Sequence, residues 1–236
     1  MKFADATILI ADYEPELLEI FTLWLERAGC KVLTAVNGEQ ALQLLQENHV
    51  DALISDIRMP VMDGVTLVRR LHALNLQIPS IIFVSGFGDI DPREVYALGV
   101  QAMLPKPLSR QQLLKSVEDC LKGRTELWNE PLAIPPAQSV NLLFESLKTA
   151  IESSAFGLGR GGCCFRTDRA LSEDQPIRLA VQFEQDGRCL EAEGIVRWFR
   201  AKESRAGVEF TYLDPASRGW TTDSLTQLDK RSFIPH

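Results

Sequence analysis

Apolar residues in the first half of the chain fall into short continuous runs separated by stretches of helical spacing. Thr7-Ile-Leu-Ile-Ala11 is a run of strand length. Pro15 then stands where a helix can begin, because its missing N–H would lack a partner in a first turn anyway. Leu17, Leu18, Phe21 and Leu25 follow at helical intervals, and Gly29 supplies the left-handed residue that ends such a helix. The alternation then repeats. Lys31–Ala35 reads as a second strand, Ala41, Leu42, Leu44 and Leu45 as a helix opened by Asn37 or Gly38, and Ala52–Ser55 as a third strand. Asp63 is suited to accept the first N–H groups of a helix carrying Leu67, Val68, Leu71 and Leu74. Ser80–Val84, a short helix with Pro92 in its first turn, Ala102–Leu104 and a helix from Ser109 to about Leu121 complete the register by residue 122. Five strands alternating with five helices predict an α/β doubly wound fold with a five-stranded parallel sheet.

The pattern then changes. Residues 123–139 hold Pro131, Pro135 and Pro136 without sustained periodicity and read as a linker, dividing the chain into 1–122 and 140–236. Val140, Leu143, Leu147, Ala150 and Ile151 recur at helical spacing and predict an amphipathic helix. From Gly157 the period becomes two: Ile177, Leu179, Val181 and Phe183 alternate with Arg178, Ala180 and Gln182. Asp186-Gly187 is a hairpin signal, Leu190–Arg200 and the Val208, Phe210, Tyr212 series read as further strands, and a last helix opens at Asp214-Pro215 with Leu225 and Leu228 inward. An antiparallel β-barrel with flanking helices is the expectation for this half.

Composition narrows the function classes. At 236 residues, 45% hydrophobic and 24% charged, the chain has globular composition and room for two domains. No uncharged apolar stretch nears the ~18 residues of a membrane span, so no membrane partner and a cytoplasmic location are expected. Five cysteines without CxxC spacing point to reduced thiols, and three scattered histidines leave little basis for a His-based triad or metal cluster. A net charge of -7 argues against nucleic acid as a partner, although 11 of the 14 basic residues after position 123 are arginines, the cation suited to phosphate.

Ligand sites in parallel α/β sheets lie beyond the carboxyl ends of the strands. Asp12, Asp56, Ser85 and Lys106 follow the first, third, fourth and fifth strands. An acidic pair with a lysine and a hydroxyl can hold a divalent cation and orient the oxygens of a phosphoryl group. Solvated strand caps would explain any one of these residues, but not all four.

With these residues the first half resembles the response-regulator receiver domain, a CheY-like, flavodoxin-like fold. Thr7-Ile-Leu-Ile-Ala-Asp-Tyr-Glu-Pro15, Ser55-Asp-Ile-Arg-Met-Pro-Val-Met-Asp-Gly64, Val84-Ser-Gly86 and Leu104-Pro-Lys-Pro107 stand in the family's order and spacing over residues 5–122. The resemblance implies that Asp56 accepts a phosphoryl group from a sensor histidine kinase or a small phosphodonor. It implies Mg2+ held by Asp12, Asp56 and the backbone carbonyl of Arg58, with Ser85 and Lys106 binding the phosphoryl group and Pro107 following a cis bond. Three departures stand out. Tyr13 occupies the second position of the usual acidic pair, leaving Glu14 as a substitute ligand and a weakened Mg2+ site as the expectation. Met103 replaces the usual switch aromatic, and Pro105 precedes Lys106.

The second half is similar to the PilZ domain over about residues 140–230, on the succession of glycine turn, strands and closing helix. Gly157-Leu-Gly-Arg-Gly-Gly162 matches GxGxxG by letters, but the strand-like Cys163-Cys-Phe-Arg-Thr that follows excludes a dinucleotide fold, so the glycines are expected to serve positive-φ turns. Cyclic di-GMP-binding members carry an RxxxR and a D/N-x-S-x-x-G turn. Here only Gly162 matches the turn, and Asn141–Ala155 holds one basic residue, Lys148. These departures argue against cyclic di-GMP capture by the usual mode and leave Arg160 and Gly162, with Arg166, Arg197 and Arg200, as the candidate anion site. Cys163 and Cys164 are expected on opposite faces of a strand, and Trp198 and Phe199 likewise.

The leading expectation is therefore a two-component response regulator whose receiver controls a PilZ-like output that binds a downstream protein. Its alternatives are a cyclic di-GMP effector with an altered pocket and a pseudo-receiver scaffold that is not phosphorylated. No nucleophile and base set appears outside the receiver site, so no enzyme is expected. A homodimer through the stripe at Val140–Ile151 is the further expectation.

Overall fold

The computed structural model describes residues 3–74, 78–86, 90–122, 128–225 and 232–236. Leu228 and the first linker positions, 123–127, lie outside them. Contacts divide the described chain into two units. One holds the residues up to Asp91 with those from Val100 to Lys122; the other holds Pro92–Gly99 with the residues from Trp128 onward.

In the first unit, β1 (Thr7–Ala11), β2 (Lys31–Ala35), β3 (Ala52–Asp56), β4 (Ser80–Ser85) and β5 (Ala102–Pro105) form a parallel sheet in the order β2-β1-β3-β4-β5. β3 is buried along its whole length, as an apolar strand covered on both faces must be. The helices begin and end where the local chemistry directs. α1 (Pro15–Ala28) opens on proline and closes at Gly29, whose φ is 103°. Asn37 and Asp63 accept the amides of Gln40 and Thr66 to start α2 (Gly38–Glu47) and α3 (Gly64–Ala73). Ser109 and Gln112 form a reciprocal capping box at α5 (Arg110–Leu121). Leu18, Phe21 and Leu25 of α1 and Leu113 and Val117 of α5 share one core with Ile8, Ile54 and Ile82 of the sheet. Each such side chain taken fully out of water is worth about 1.5–3 kcal/mol. The fourth helix, α4 (Pro92–Ala97), is present where the pattern places it, but it clusters with the second unit.

The second unit is built on a curled six-stranded sheet. Its strands are β6 (Gln138–Phe144), β7 (Phe156–Leu158), β8 (Gly162–Arg166), β9 (Pro176–Phe183), β10 (Arg188–Arg200) and β11 (Arg205–Leu213), in the order β6-β9-β10-β11-β8-β7. β7 to β11 pair antiparallel as expected, whereas β6 joins β9 in parallel, so the sheet is mixed. Ile177, Leu179, Val181 and Phe183 of β9 all point into the core. Helix α7 (Pro215–Leu225) closes the unit and buries Leu225.

The helix expected over residues 140–151 is a correction. That stretch is strand β6 followed by a short helix, α6 (Leu147–Glu152), which Ser146 caps together with Thr149. The period that governs residues 138–144 is two: Val140, Leu142 and Phe144 pack against the core while Leu143 is 60% exposed. Reading Val140 with Leu143 instead of Leu142 produced a false helical stripe, and the homodimer expectation that rested on the stripe loses its basis. The expected linker also contains packed residues. Trp128 lies in the barrel core at 6.1 Å from Phe210, ring edge to ring face, and its carbonyl accepts from Leu213 N.

Two apolar clusters lie on opposite faces of the second sheet. Cys163 belongs to the barrel core, and Cys164 to a cluster with Tyr96, Trp198, Phe233 and Ile234. Both cysteines are buried free thiols, as is Cys30; Cys120, half-buried, and Cys189, exposed, are free as well. Burial pushes the thiols of Cys163 and Cys164 up from their ordinary value, which keeps them unreactive. A register shift in β10 between Val196 and Trp198 sends Val196 into the barrel core and Trp198 into the second cluster; Phe199 then packs against the barrel core. Among the described residues no helix is long and apolar enough to cross a membrane.

Candidate functional site

The strand order reverses between β1 and β3, which is where an open parallel sheet leaves a crevice beyond its carboxyl ends. Asp12 follows β1 and Asp56 ends β3, so the two carboxylates flank that crevice. Both are buried, at 1% and 4% exposure, and neither is left without hydrogen bonds. Asp12 Oδ1 accepts from Glu14 N at 2.9 Å, and Asp56 Oδ1 accepts from Arg58 N at 3.0 Å. Each turns its other oxygen to the same ammonium.

Lys106 Nζ donates to Asp56 Oδ2 at 2.8 Å, to Asp12 Oδ2 at 3.0 Å and to Glu14 Oε1 at 3.0 Å. An ammonium has three protons to give, and all three have carboxylate acceptors. Burial alone would lower the lysine's pKa; the bonds to Asp56, Asp12 and Glu14 outweigh it and hold the value well above the ordinary one. The Asp12 pKa is raised as well, in its case by burial, with the Glu14 amide and Lys106 opposing the shift.

One oxygen from each of Asp12, Glu14 and Asp56 lies within 4.8 Å of the others. Three hard oxygen donors at that spacing suit a small divalent cation. Glu14 thus reaches the cluster from the position after Tyr13. Tyr13 itself is 50% exposed, and its ring centre lies 5.9 Å from Lys106 Nζ, within cation–π range.

The backbone that carries these groups is tightly held. Lys106 N donates to the carbonyl of Ser85, the buried residue ending β4, at 2.7 Å. The Lys106–Pro107 bond is cis. Met103, on β5 opposite Phe83, is half-buried. Two supports were not singled out from sequence. Gly64 N donates to Ile57 O, and a Cβ at Gly64 would stand 2.4 Å from the carbonyl oxygen of Asp56. Ser55 Oγ donates to that same carbonyl at 2.8 Å. A glycine directly after a helix cap in the loop following Asp56 was the available signal.

In the second unit the candidate arginines do not converge. Arg160 NH2 donates to Gly99 O at 3.0 Å. Arg197 divides its guanidinium between Glu209 at 2.6 Å and Asp174 at 2.9 Å, Arg200 lies 3.8 Å from Glu173, and Arg166 is exposed. Arg178 pairs with Glu193, and Arg169 and Arg218 donate to backbone carbonyls of Ser139 and of Trp128 and Leu213. The arginine excess of this half is thus largely engaged in holding the unit together.

The glycine cluster needs a second correction. Among the described glycines only Gly29, Gly99 and Gly187 have positive φ, so Gly157, Gly159, Gly161 and Gly162 are not there for left-handed turns. They admit close neighbours instead. A Cβ at Gly162 would stand 1.9 Å from Val208 O, and one at Gly161 would stand 2.1 Å from the Phe233 ring.

A family model for the response regulator receiver domain matches residues 8–118, and one for the PilZ domain matches residues 155–226. The chain carries a receiver domain followed by a PilZ domain. Among curated proteins it is 36% identical over 125 residues to the response regulator GtcR of Aneurinibacillus migulanus, covering 53% of this chain and 51% of that protein. It is 28% identical over 170 residues to the transcriptional regulatory protein GlrR of Escherichia coli, covering 68% of this chain and 38% of that one. The chain therefore spans about half the length, or less, of these relatives. Solved structures that resemble it include a receiver domain from Clostridium thermocellum, at 28% identity with a TM-score of 0.46 over 49% of this chain and 94% of that one. The chemotaxis response regulator CheY4 of Vibrio cholerae resembles it at 29% identity and a TM-score of 0.46, over 49% of this chain and 98% of that one.

Proposed function

We propose that this protein is a two-component response regulator in which Asp56 accepts a phosphoryl group and the PilZ domain passes the signal to another protein. The observation that carries the reading is the junction of Asp12, Glu14, Asp56 and Lys106 in the crevice at the β1/β3 reversal. In the reaction, an oxygen of Asp56 forms a bond to phosphorus while the bond from phosphorus to the donor's leaving group breaks. The donor is a sensor histidine kinase or a small acyl phosphate. Lys106 turns from the free carboxylate to the new acyl phosphate, and Ser85 at the end of β4 binds one of its oxygens. Asp12, Asp56, Glu14 and the backbone carbonyl of Arg58 would hold Mg2+. That ion, when bound, neutralises charge on the phosphoryl oxygens.

The cation site is weaker than one with two consecutive acids. Tyr13 contributes no anionic ligand, and Glu14 must leave part of its bonding to Lys106 to serve. The same engagement of all three carboxylates by Lys106 favours the second reading, a receiver that scaffolds without phosphorylation. Output through a protein partner is supported by the arginine pairing of the second unit, which leaves no matched pair of arginines from the candidate set for cyclic di-GMP. Covalent chemistry is confined to phosphoryl acceptance and hydrolysis at Asp56.

Incubation of the full chain with acetyl phosphate and Mg2+, read by intact mass, tests the reading. A single phosphoryl adduct that disappears in Asp56→Asn supports it. No adduct at millimolar Mg2+ by either acetyl phosphate or beryllofluoride leaves the scaffold reading. Calorimetric titration with cyclic di-GMP separates the remaining alternative; saturable binding lost in Arg160→Ala would make the chain a nucleotide effector with an altered pocket.

A further inference from the structure

The glycines at 157–162 lie under another part of the same unit. Arg160 N donates to Ser232 O at 3.0 Å and Gly161 N donates to Phe233 O at 2.8 Å, so two successive amides of the turn are satisfied by the Ser232–Pro235 segment. The missing side chains match the segment's outline. A Cβ at Gly159 would stand 2.5 Å from Phe233 O, one at Gly161 would stand 2.1 Å from the Phe233 ring, and one at Gly157 would stand 3.2 Å from Pro235 Cγ. Three glycines at alternate positions thus follow one short piece of chain.

The same segment also grips helix α4. Phe233 N donates to Tyr96 O at 2.9 Å, Ser232 Oγ donates to Ala97 O at 3.3 Å, and the Phe233 and Tyr96 rings stack with centres 6.4 Å apart. Beneath lie Cys164 and Trp198, both fully buried, and among the described residues the indole N–H of Trp198 has no hydrogen-bond partner. An orphaned donor under a short cover marks a surface closed by shape and apolar contact more than by matched polar groups.

The geometry points to an intrachain docking groove: the glycine turn and the Trp198 face form a binding site for a short aromatic-aliphatic peptide, and Ser232–Pro235 is its occupant in cis. The occupant pins Pro92–Gly99, the segment that stands in sequence between Ser85 and Lys106, to the barrel. At Gly159 and Gly161 the chain's own residue Phe233 takes the space a side chain would fill. This reading is independent of whether Asp56 is phosphorylated.

Hydrogen exchange on the full chain, resolved by NMR, tests it. Deleting residues 232–236 is expected to speed exchange at the Arg160 and Gly161 amides by about tenfold or more, while amides of β9 and β10 keep their protection. A synthetic peptide of residues 231–236 added to the deleted chain is expected to restore the protection of those two amides. If the deletion unfolds the barrel, Gly161→Ala gives the same readout with Gly219→Ala, where a Cβ meets nothing within 4 Å, as its control. Unchanged exchange at Arg160 and Gly161 in the deletion or in Gly161→Ala, or a peptide without effect on a folded deletion chain, overturns the proposal.

Discussion

Asp56 Oδ2 accepts the shortest of the three hydrogen bonds that Lys106 makes, at 2.8 Å. The nucleophile proposed for phosphoryl transfer is therefore held by the group proposed to receive its product. A cation entering the cluster must compete with that ammonium, and a phosphoryl group must draw it away from the neighbouring acids.

Lys106→Met leaves three carboxylates facing one another without a counter-charge. Breaking a buried ion pair costs about 3–5 kcal/mol, and the partial exposure of Glu14 places the expected loss near 2–3 kcal/mol. Millimolar Mg2+ is expected to return much of it, because the ion supplies the missing positive charge to the same oxygens. Urea denaturation with and without Mg2+ measures both effects.

Alkaline pH should erode the contribution of the same lysine. Its pKa is raised by folding, so the folded chain holds the proton more tightly than the unfolded chain, whose value is the ordinary 10.5. The stabilisation is full below that value and declines as pH climbs through the folded value. Denaturation of wild type and Lys106→Met between about pH 8 and 11.5 is expected to give a difference that is constant at first and then shrinks. A difference growing with pH would falsify the assignment.

Gly64→Ala and Gly219→Ala separate close approach from flexibility. At Gly64 the new Cβ meets the Asp56 carbonyl oxygen, so a loss of about 1–3 kcal/mol and poorer phosphoryl acceptance are expected. At Gly219, inside α7 with open space around it, alanine is expected to stabilise by about 0.5–1 kcal/mol. Thermal melts of the two variants give opposite signs.

Val61 has φ of 67° and is 83% exposed in the loop after Asp56, a left-handed position that a β-branched residue occupies at a cost. Val61→Gly removes that strain and adds some unfolded-state entropy. A net gain of up to about 1 kcal/mol is expected from denaturant titration, with no change in the bonds of Asp56.

How much of this was legible in the sequence depended on the range of the interaction. Pro15, Asn37, Asp63 and Ser109 mark helix starts through contacts a few residues away, and the structure places helices at all four. Asp12, Asp56 and Lys106 could be placed on one edge because parallel strands all deliver their carboxyl ends to the same side. The convergence of all three acids on one ammonium could not, since it depends on where Glu14 turns after Tyr13. In the second half, Val140 and Leu143 satisfied a helical period by coincidence. Which of Leu142 and Leu143 faces inward is decided by β9, which stands far along the chain and pairs with that stretch only in the folded unit. The glycine turn failed for the same reason: what fills the missing side-chain volume arrives from residues 232–235.

The register shift in β10 makes one strand belong to two interiors. Val196 faces the barrel and Trp198 the outer cluster, where an unbroken alternation would have sent both to the same side. Arg197, between them, is therefore a spacer as much as an ion-pair partner. Removing that one position would restore an unbroken ladder in which Val196 and Trp198 keep their two faces, so what the extra residue adds is the guanidinium that joins Glu209 and Asp174.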